Sequence, residues 1–252
     1  MTAGARRKTI ADMVRGGEMS VADLAAAFGV TASTIRRDLA LLAAEGKVVR
    51  TFSGATSLGG PSGAEPTTDQ RARTSRRVKH RIAARARELV EPDTWVYLDA
   101  GTTCAGLAHR LVDAAGVTVV TPSLLAIRAL GPADDVTVLG TGGRLRRVSE
   151  AFVGRESERL LRHVSIDVAF LSADAVHPRR GLLEVEPDQI ALKEAAVAAS
   201  RQVVVLADAT KFTDEAPTGY WLPWPQGAVL ITDADAAALP SMPPHVTVTP
   251  AG

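Results

Sequence analysis

Residues 30–39, Val30-Thr31-Ala32-Ser33-Thr34-Ile35-Arg36-Arg37-Asp38-Leu39, constrain this chain more than any other stretch. Thr31 is placed to cap a helix, its hydroxyl accepting an orphan backbone N–H of the first turn. Ile35, Leu39 and Leu42 then recur at i, i+4 and i+7 and make one buried stripe. Ser33, Thr34, Arg36 and Arg37 fall off that stripe, close to the helix N-terminus. In a helix-turn-helix, that end of the second helix meets base edges and phosphates in the major groove. Small hydroxyls and guanidinium groups are what those surfaces accept. A surface helix with two solvated arginines fits the same ten residues, so the flanks have to decide.

The flanks supply the rest of a head. Ala5–Arg15 carries Ile10, Met13 and Val14 on one face, and Gly16-Gly17 stops it. Ser20 followed by Asp23 is a capping-box-like start with Asp in place of Glu. Val21, Leu24, Ala25 and Phe28 then form the inner side of a short second helix. Gly29 stands where a helix-turn-helix needs its tight turn, and Val30 plugs the corner. Glu45 and Gly46 are placed to end the recognition helix. Lys47–Phe52 is a short β-prone run, which predicts a wing with Arg50 and Thr51 near the DNA backbone. The reading is an N-terminal winged helix-turn-helix over residues 1–57. Its candidate contacts to double-stranded DNA are Thr31, Ser33, Thr34, Arg36, Arg37, Arg50 and Thr51.

Charge is distributed accordingly. Residues 1–87 hold 16 Lys/Arg against 7 Asp/Glu, and residues 88–252 hold the other 13 against 21. The net charge of +1 therefore conceals a basic front and an acidic back, the pattern of a polyanion-binding head on a differently employed body. Residues 58–68 are rich in Ser, Gly, Pro and Thr and read as a linker. Eight Lys/Arg follow between Arg71 and Arg87, while Ile82, Ala83, Ala86, Leu89 and Val90 keep a helical stripe. Residues 69–91 are thus expected to form one helix with a charged, solvated outer face rather than a DNA contact. The single cysteine, Cys104, fits a reducing compartment and reads as a small packing residue. Met1–Arg15 has no apolar core run, and no stretch reaches ~18 apolar residues, so a cytoplasmic protein with no membrane partner is expected.

Beyond residue 90 the chain alternates short apolar, β-branched runs with helical patterns. The runs are Trp95–Leu98, Val117–Val120, Val136–Leu139, Ile166–Leu171, Val203–Leu206 and Val229–Ile231. The helical patterns are Ala105–Val112, Leu124–Leu130, Glu156–His163 and Gln189–Ser200. This predicts an α/β fold for residues 69–252, with a largely parallel sheet covered on both faces. Ligands in such sheets bind at the carboxyl ends of the strands. Five small, polar loops stand there. Asp99-Ala100-Gly101-Thr102-Thr103-Cys104 has the makings of an anion nest, with glycine, threonine hydroxyls and a helix start. The others are Thr121-Pro122-Ser123, Gly140–Arg144, Ser172–Ala175 and Asp208–Phe212. Arg144 offers a fork-shaped partner for phosphate or carboxylate.

The run from Phe28 to Ala55 resembles the head of the DeoR family of bacterial transcriptional regulators. Thr34 to Leu39 match its Thr-Ile-Arg-Arg-Asp-Leu signature residue for residue, while Phe52-Ser53-Gly54-Ala55 replaces the usual His-Gly-Gly-Ala of the wing. The loops resemble that family's sensor domain at Asp99, Gly101, Thr102, Thr103, Thr121, Ser123, Gly142, Gly143, Arg144, Asp174, Asp208, Lys211 and Phe212. Lys193 also matches. Pro122, Ser172 and Gln189 stand where Asn, Gly and an acidic residue are usual, which implies an altered effector preference or response. The resemblance implies a sensor fold similar to sugar-phosphate isomerases and a phosphorylated sugar as effector.

The expectation is therefore a transcriptional regulator, a repressor of a carbohydrate operon. It would work as a dimer or tetramer, because a single head buries too little surface for site-specific control. The effector's phosphate is expected on Gly101-Thr102-Thr103, with Arg144 or Lys211 as its cation and Asp99, Asp174 and Ser123 reading hydroxyls. Thr121, Gly142 and Gly143 complete the candidate effector site. The alternative is a sugar-phosphate isomerase fused to a DNA head, with Asp174 as base and Lys211 as electrophile. Ala173, Ala175 and Val176 leave that single acid isolated, which disfavours it. A nonspecific DNA packager is a third class, distinguished by its lack of sequence preference. No cofactor is expected, and His109, His163, His177 and His245 show no metal-ligand spacing.

Overall fold

The computed structural model describes residues 2–15, 19–44, 48–50, 54–56, 65–213, 218–235, 239 and 241–252. The first part holds α1 (Ala3–Arg15), β1 (Met19–Ser20), α2 (Val21–Phe28), α3 (Ala32–Ala44), β2 (Val49–Arg50) and β3 (Gly54–Thr56). Ser20 Oγ accepts from the Asp23 N–H at 3.0 Å and starts α2. Gly29 ends it in the left-handed region, φ 62, where a Cβ is costly. Thr31 Oγ1 accepts from the Thr34 N–H at 3.3 Å, as expected of a helix cap. Ile35, Leu39 and Leu42 of α3 close on Ile10 and Val14 of α1 and on Val21 and Leu24 of α2. Strands β1 and β2 both pair antiparallel with β3, making the small sheet of a winged helix. Thr51 and the predicted helix end at Glu45-Gly46 lie outside the described residues, as do residues 57–64.

Two helices follow, α4 (Thr68–Arg73) and α5 (Arg76–Arg87), where the sequence predicted one. The break has a local cause. Thr74 is extended at the end of α4, and Ser75 adopts φ 52, a left-handed turn that reverses the chain between the two. Thr67 starts α4 with a full capping box, its side chain and that of Gln70 exchanging bonds with each other's backbone N–H.

The rest runs β4 (Trp95–Leu98), α6 (Thr102–Ala108), β5 (Thr118–Thr121), α7 (Leu124–Leu130), β6 (Thr137–Gly140), β7 (Arg144–Arg146), β8 (Ala151–Val153) and α8 (Arg155–Leu161). It continues through β9 (Ile166–Leu171), β10 (Ala175–His177), β11 (Gly181–Glu184), α9 (Pro187–Ala199) and β12 (Ser200–Leu206) to β13 (Tyr220–Leu222), β14 (Val229–Thr232) and β15 (Thr247–Pro250). Seven strands form one parallel sheet in the order β15-β14-β12-β9-β4-β5-β6. All six predicted strand runs are in it, within a few residues of the predicted bounds. The seventh strand, β15, comes from the Pro-rich tail and closes one edge.

Side chains alternate across this sheet as pleating requires. Val96, Leu98, Val119, Val168 and Phe170 face a core shared with α5, α6 and α7. Tyr97, Val120, Ala169, Leu171 and Val205 face a second core under α8, α9 and the small antiparallel sheet β10-β11-β13. The strand order reverses between β4 and β9, which places the loops after those two strands at the switch point of the sheet. Among the described residues no helix is long and apolar enough to cross a membrane.

Candidate functional site

The candidate DNA-reading surface is the outer face of α3. Its inner face is used up by Ile35, Leu39 and Leu42, so Ser33, Arg36 and Arg37 are left exposed and Thr34 half-buried. Thr31 Oγ1 lies 2.9 Å from Ser33 Oγ and 3.0 Å from Thr34 Oγ1, tying the hydroxyl cluster to the helix start. Asp38, in the same signature, has a different employment. It is buried, and its carboxylate accepts from Arg6 Nε at 2.7 Å, pinning α1 to α3. Arg50 stands opposite Ala55 in the wing ladder.

The second site is a cavity at the switch point, lined by Thr68, Arg71, Lys79, Gly101, Thr102, Thr103, Ser149, Ser172, Asp174, Glu184, Gln189 and Lys211 among others. Of the residues expected there, Gly101, Thr102, Thr103, Asp174 and Lys211 are brought together. Gly101 has φ 146, and a Cβ on it would stand 2.5 Å from Ser172 Oγ, so glycine is what lets the β4 and β9 loops meet. Ser172 Oγ in turn donates to the Ala100 carbonyl at 2.6 Å.

The other expected residues line the frame rather than the cavity. Asp99 is buried; its Oδ1 accepts from the Ala100 N–H and its Oδ2 from the Ser172 N–H and from Lys193 Nζ. Thr121 Oγ1 donates to the Leu98 carbonyl at 2.6 Å, and Ser123 caps α7. Gly142 and Gly143 take φ 70 and 104; a Cβ on Gly143 would stand 2.8 Å from the Val153 carbonyl oxygen. Arg144 is 60% exposed and pairs with Asp188 at 2.7 Å and Glu186 at 3.4 Å, a surface fork with its acids already in place.

Of the cations that line the cavity, sequence reasoning named Lys211 and missed Lys79 and Arg71. Lys79 falls on the buried stripe of α5, three and four residues before Ile82 and Ala83, so the helical spacing itself marked it as inward. Its Nζ donates to the Arg71 carbonyl at 2.7 Å, near the end of α4. Arg71 pairs with Asp174 at 2.6 Å and with Glu65 at 3.0 Å. Lys211 Nζ lies 3.4 Å from the Asp174 carbonyl oxygen.

Beneath the cavity Lys193, 1% exposed, bridges Asp99 and Glu184, the latter at 2.9 Å. Burial favours a neutral lysine, but the two carboxylates outweigh it and raise the pKa, so Lys193 stays charged. One cation neutralises one carboxylate. Burial, with Asp174 and Asp99 nearby, pushes Glu184 up to about 8 against the pull of Lys193. Asp174 behaves in the opposite way. Burial would raise it, but Arg71, Lys211 and the Val185 N–H hold it below the usual carboxylate range. Cys104 is fully buried, and burial pushes its thiol up, which leaves an inert packing residue. Trp224 is likewise buried, its Nε1 donating to the His177 carbonyl at 3.2 Å, while Arg180 stacks on Trp221.

A winged helix-turn-helix joined to an α/β domain with a polar cavity at its switch point defines a ligand-responsive transcriptional regulator. Residues 6–59 match the DeoR-like helix-turn-helix domain and residues 74–234 the DeoR C terminal sensor domain. The chain belongs to the DeoR family and is a DNA-binding transcriptional regulator. It is 32% identical over 212 residues to a putative aga operon transcriptional repressor of Escherichia coli O157:H7, covering 84% of this chain and 79% of that one. It is 28% identical over 244 residues to the glycerol-3-phosphate regulon repressor of Escherichia coli K12, covering 96% and 92%. Among solved structures, a D-ribose-5-phosphate isomerase in complex with phospho-erythronic acid aligns with a TM-score of 0.42 and 20% identity over 55% of each chain. A likeness that partial assigns no activity.

Proposed function

We propose that this regulator represses a carbohydrate operon and that a phosphorylated sugar or polyol, bound in the switch-point cavity, releases it from the operator. The carrying observation is the lining of that cavity. Lys79, Arg71 and Lys211 share its lining with the Gly101-Thr102-Thr103 loop, and a buried dianion requires such cations. Two buried polar atoms beside them, Ser149 Oγ and Gln189 Oε1, have no hydrogen-bond partner among the described residues. Buried polar groups are almost always satisfied, so these two are placed to read ligand hydroxyls. Gln189, where the family usually carries an acid, reads them without adding negative charge. Relatives named as repressors of the aga operon and of the glycerol-3-phosphate regulon support the same reading.

In this reading residues 1–57 are the DNA-binding head, with Thr31, Ser33, Thr34, Arg36 and Arg37 on the operator and Arg50 and Thr51 on its backbone. Residues 58–68 are the linker, and residues 69–252 bind effector and assemble a homo-oligomer on repeated half-sites. The reading is of a regulator rather than an enzyme, in keeping with relatives named as transcriptional repressors. Calorimetry across a panel of sugar phosphates, with operator gel shifts in parallel, tests the proposal. The best phosphorylated ligand is expected to weaken operator binding while its unphosphorylated parent does not. Thr102→Ala and Lys211→Ala are expected to leave operator binding intact and blunt the response. A best ligand without phosphate, or variants that respond like wild type, overturns the assignment.

A further inference from the structure

The cavity is narrow. Its volume is about 30 Å³, room for one or two water molecules rather than a sugar phosphate. One wall is formed by Thr68 and Arg71, from the segment 65–73 that follows the head in sequence. Thr68 donates from both its N–H and its hydroxyl to the Val148 carbonyl, at 3.1 and 3.0 Å. Arg71 spans the cavity wall to Asp174 at 2.6 Å. At the front of the segment, the Glu65 carboxylate lies between two guanidinium groups. It accepts from Arg71 at 3.0 Å, and its two oxygens take a two-pronged hold from Arg146. Its side chain is only 10% exposed, although it comes from a stretch rich in Gly, Ser and Pro.

We propose that Glu65 is an internal competitor for the effector. Arg71, held by Arg146-bound Glu65, belongs to an anion subsite of the cavity, and a ligand phosphate or carboxylate binds by taking Arg71 from Glu65. The inference rests on the effector-pocket reading above and adds how the site is regulated. The charge arithmetic favours exchange over simple opening. Withdrawing Glu65 alone leaves Arg71 to Asp174 at 2.6 Å and Arg146 to Glu186 at 3.6 Å, and takes one carboxylate out of a partly buried cluster of two guanidinium groups, which is costly. Replacing it by another anion keeps the cluster balanced. Bidentate guanidinium geometry suits carboxylate and phosphate alike. Since Glu65 is continuous with the linker, its eviction unlatches the chain leading to the DNA-reading head. That gives the ligand an unequal affinity for the latched and unlatched states, the condition for a ligand to shift an equilibrium.

The test uses the full chain and inorganic phosphate as the probe. Calorimetry should show Glu65→Gln binding phosphate at least tenfold more tightly than wild type, because the competitor has lost its charge. The gain should vanish when Arg71→Gln is added. In wild type, which needs no variant to fold, phosphate should speed hydrogen exchange over residues 65–73. Equal phosphate affinity in wild type and Glu65→Gln overturns the proposal, as does a gain that survives Arg71→Gln or a segment that phosphate protects. If sugar phosphates still bind in a Thr102-dependent way, only the latch falls. If Glu65→Gln takes no phosphate and no sugar phosphate binds wild type, both readings fall.

Discussion

The two working regions of this protein handle charge in opposite ways. On α3 the arginines are exposed, and the core beneath them is apolar apart from the single pair of Asp38 with Arg6. At the switch point the charges are buried and the chemistry is set by their partners: Lys193 by Asp99 and Glu184, Arg71 by Asp174 and Glu65. A surface that meets DNA needs its cations free for phosphate and bases. Charges held in a buried cavity need partners, since an unpaired buried charge destabilises the fold. Substitutions should therefore separate cleanly: in the head they cost binding and spare the fold, and in the cavity floor they cost the fold.

The largest effect should come from Lys193→Ala. It leaves Asp99 and Glu184 buried without their cation and should destabilise the second domain by about 3–5 kcal/mol, read by chemical denaturation. A fall under ~1 kcal/mol would show that the floor is not an ion-paired core. Next, Arg36→Ala with Arg37→Ala should leave the melting temperature unchanged and weaken operator binding by ~1–3 kcal/mol for each base-reading arginine. Unchanged operator affinity with an intact circular dichroism spectrum would remove α3 from the interface.

A third effect depends on pH. Glu184 binds its proton more tightly folded, near 8, than its ordinary value of 4.5. The folded state therefore holds more protons between those values, and stability falls as pH rises through that window. From about pH 6 to pH 8 the loss should be on the order of 2 kcal/mol, and Glu184→Gln should flatten it. An identical slope in the variant would assign the dependence to other groups. The smallest effect belongs to Arg144→Ala. Arg144 is exposed and its partners are half-buried, so stability should change by less than ~1 kcal/mol. Effector response should be unchanged, and a deaf variant would return Arg144 to the site.

Much of the architecture was legible in order. The i, i+4, i+7 stripe at Ile35, Leu39 and Leu42 is the buried face of α3, and six β-branched runs are strands of the parallel sheet. Those signals are local: a periodicity and a run length carry their own meaning. The site was legible in part. Gly101-Thr102-Thr103 could be found because a strand, a glycine and a helix start are neighbours in sequence. Glu65, Arg71 and Lys79 could not be ranked among the many charges from 65 to 87, except that Lys79 keeps step with the buried stripe of α5.

By itself, then, the sequence determined the strands of the parallel sheet, the helix with the candidate DNA-reading face and the loops at the strand ends, because these follow from spacing along the chain. Only the tertiary structure decided which charges are spent and which are available. Asp99 reads in the sequence as an acid for ligand hydroxyls and Asp38 as part of the recognition-helix signature, yet Asp38 is tied to Arg6, 32 residues away, and Asp99 to Lys193, 94 residues away. Arg144 and Lys211 were the two expected cations; Lys211 lines the cavity, but Arg144 sits on the surface among its own acids, while Arg71 and Lys79 reach the cavity from the segment before the sheet. Whether a charged side chain holds the fold or meets a ligand depends on what lies within a few ångströms of it, and that neighbourhood is assembled from residues the chain order keeps far apart.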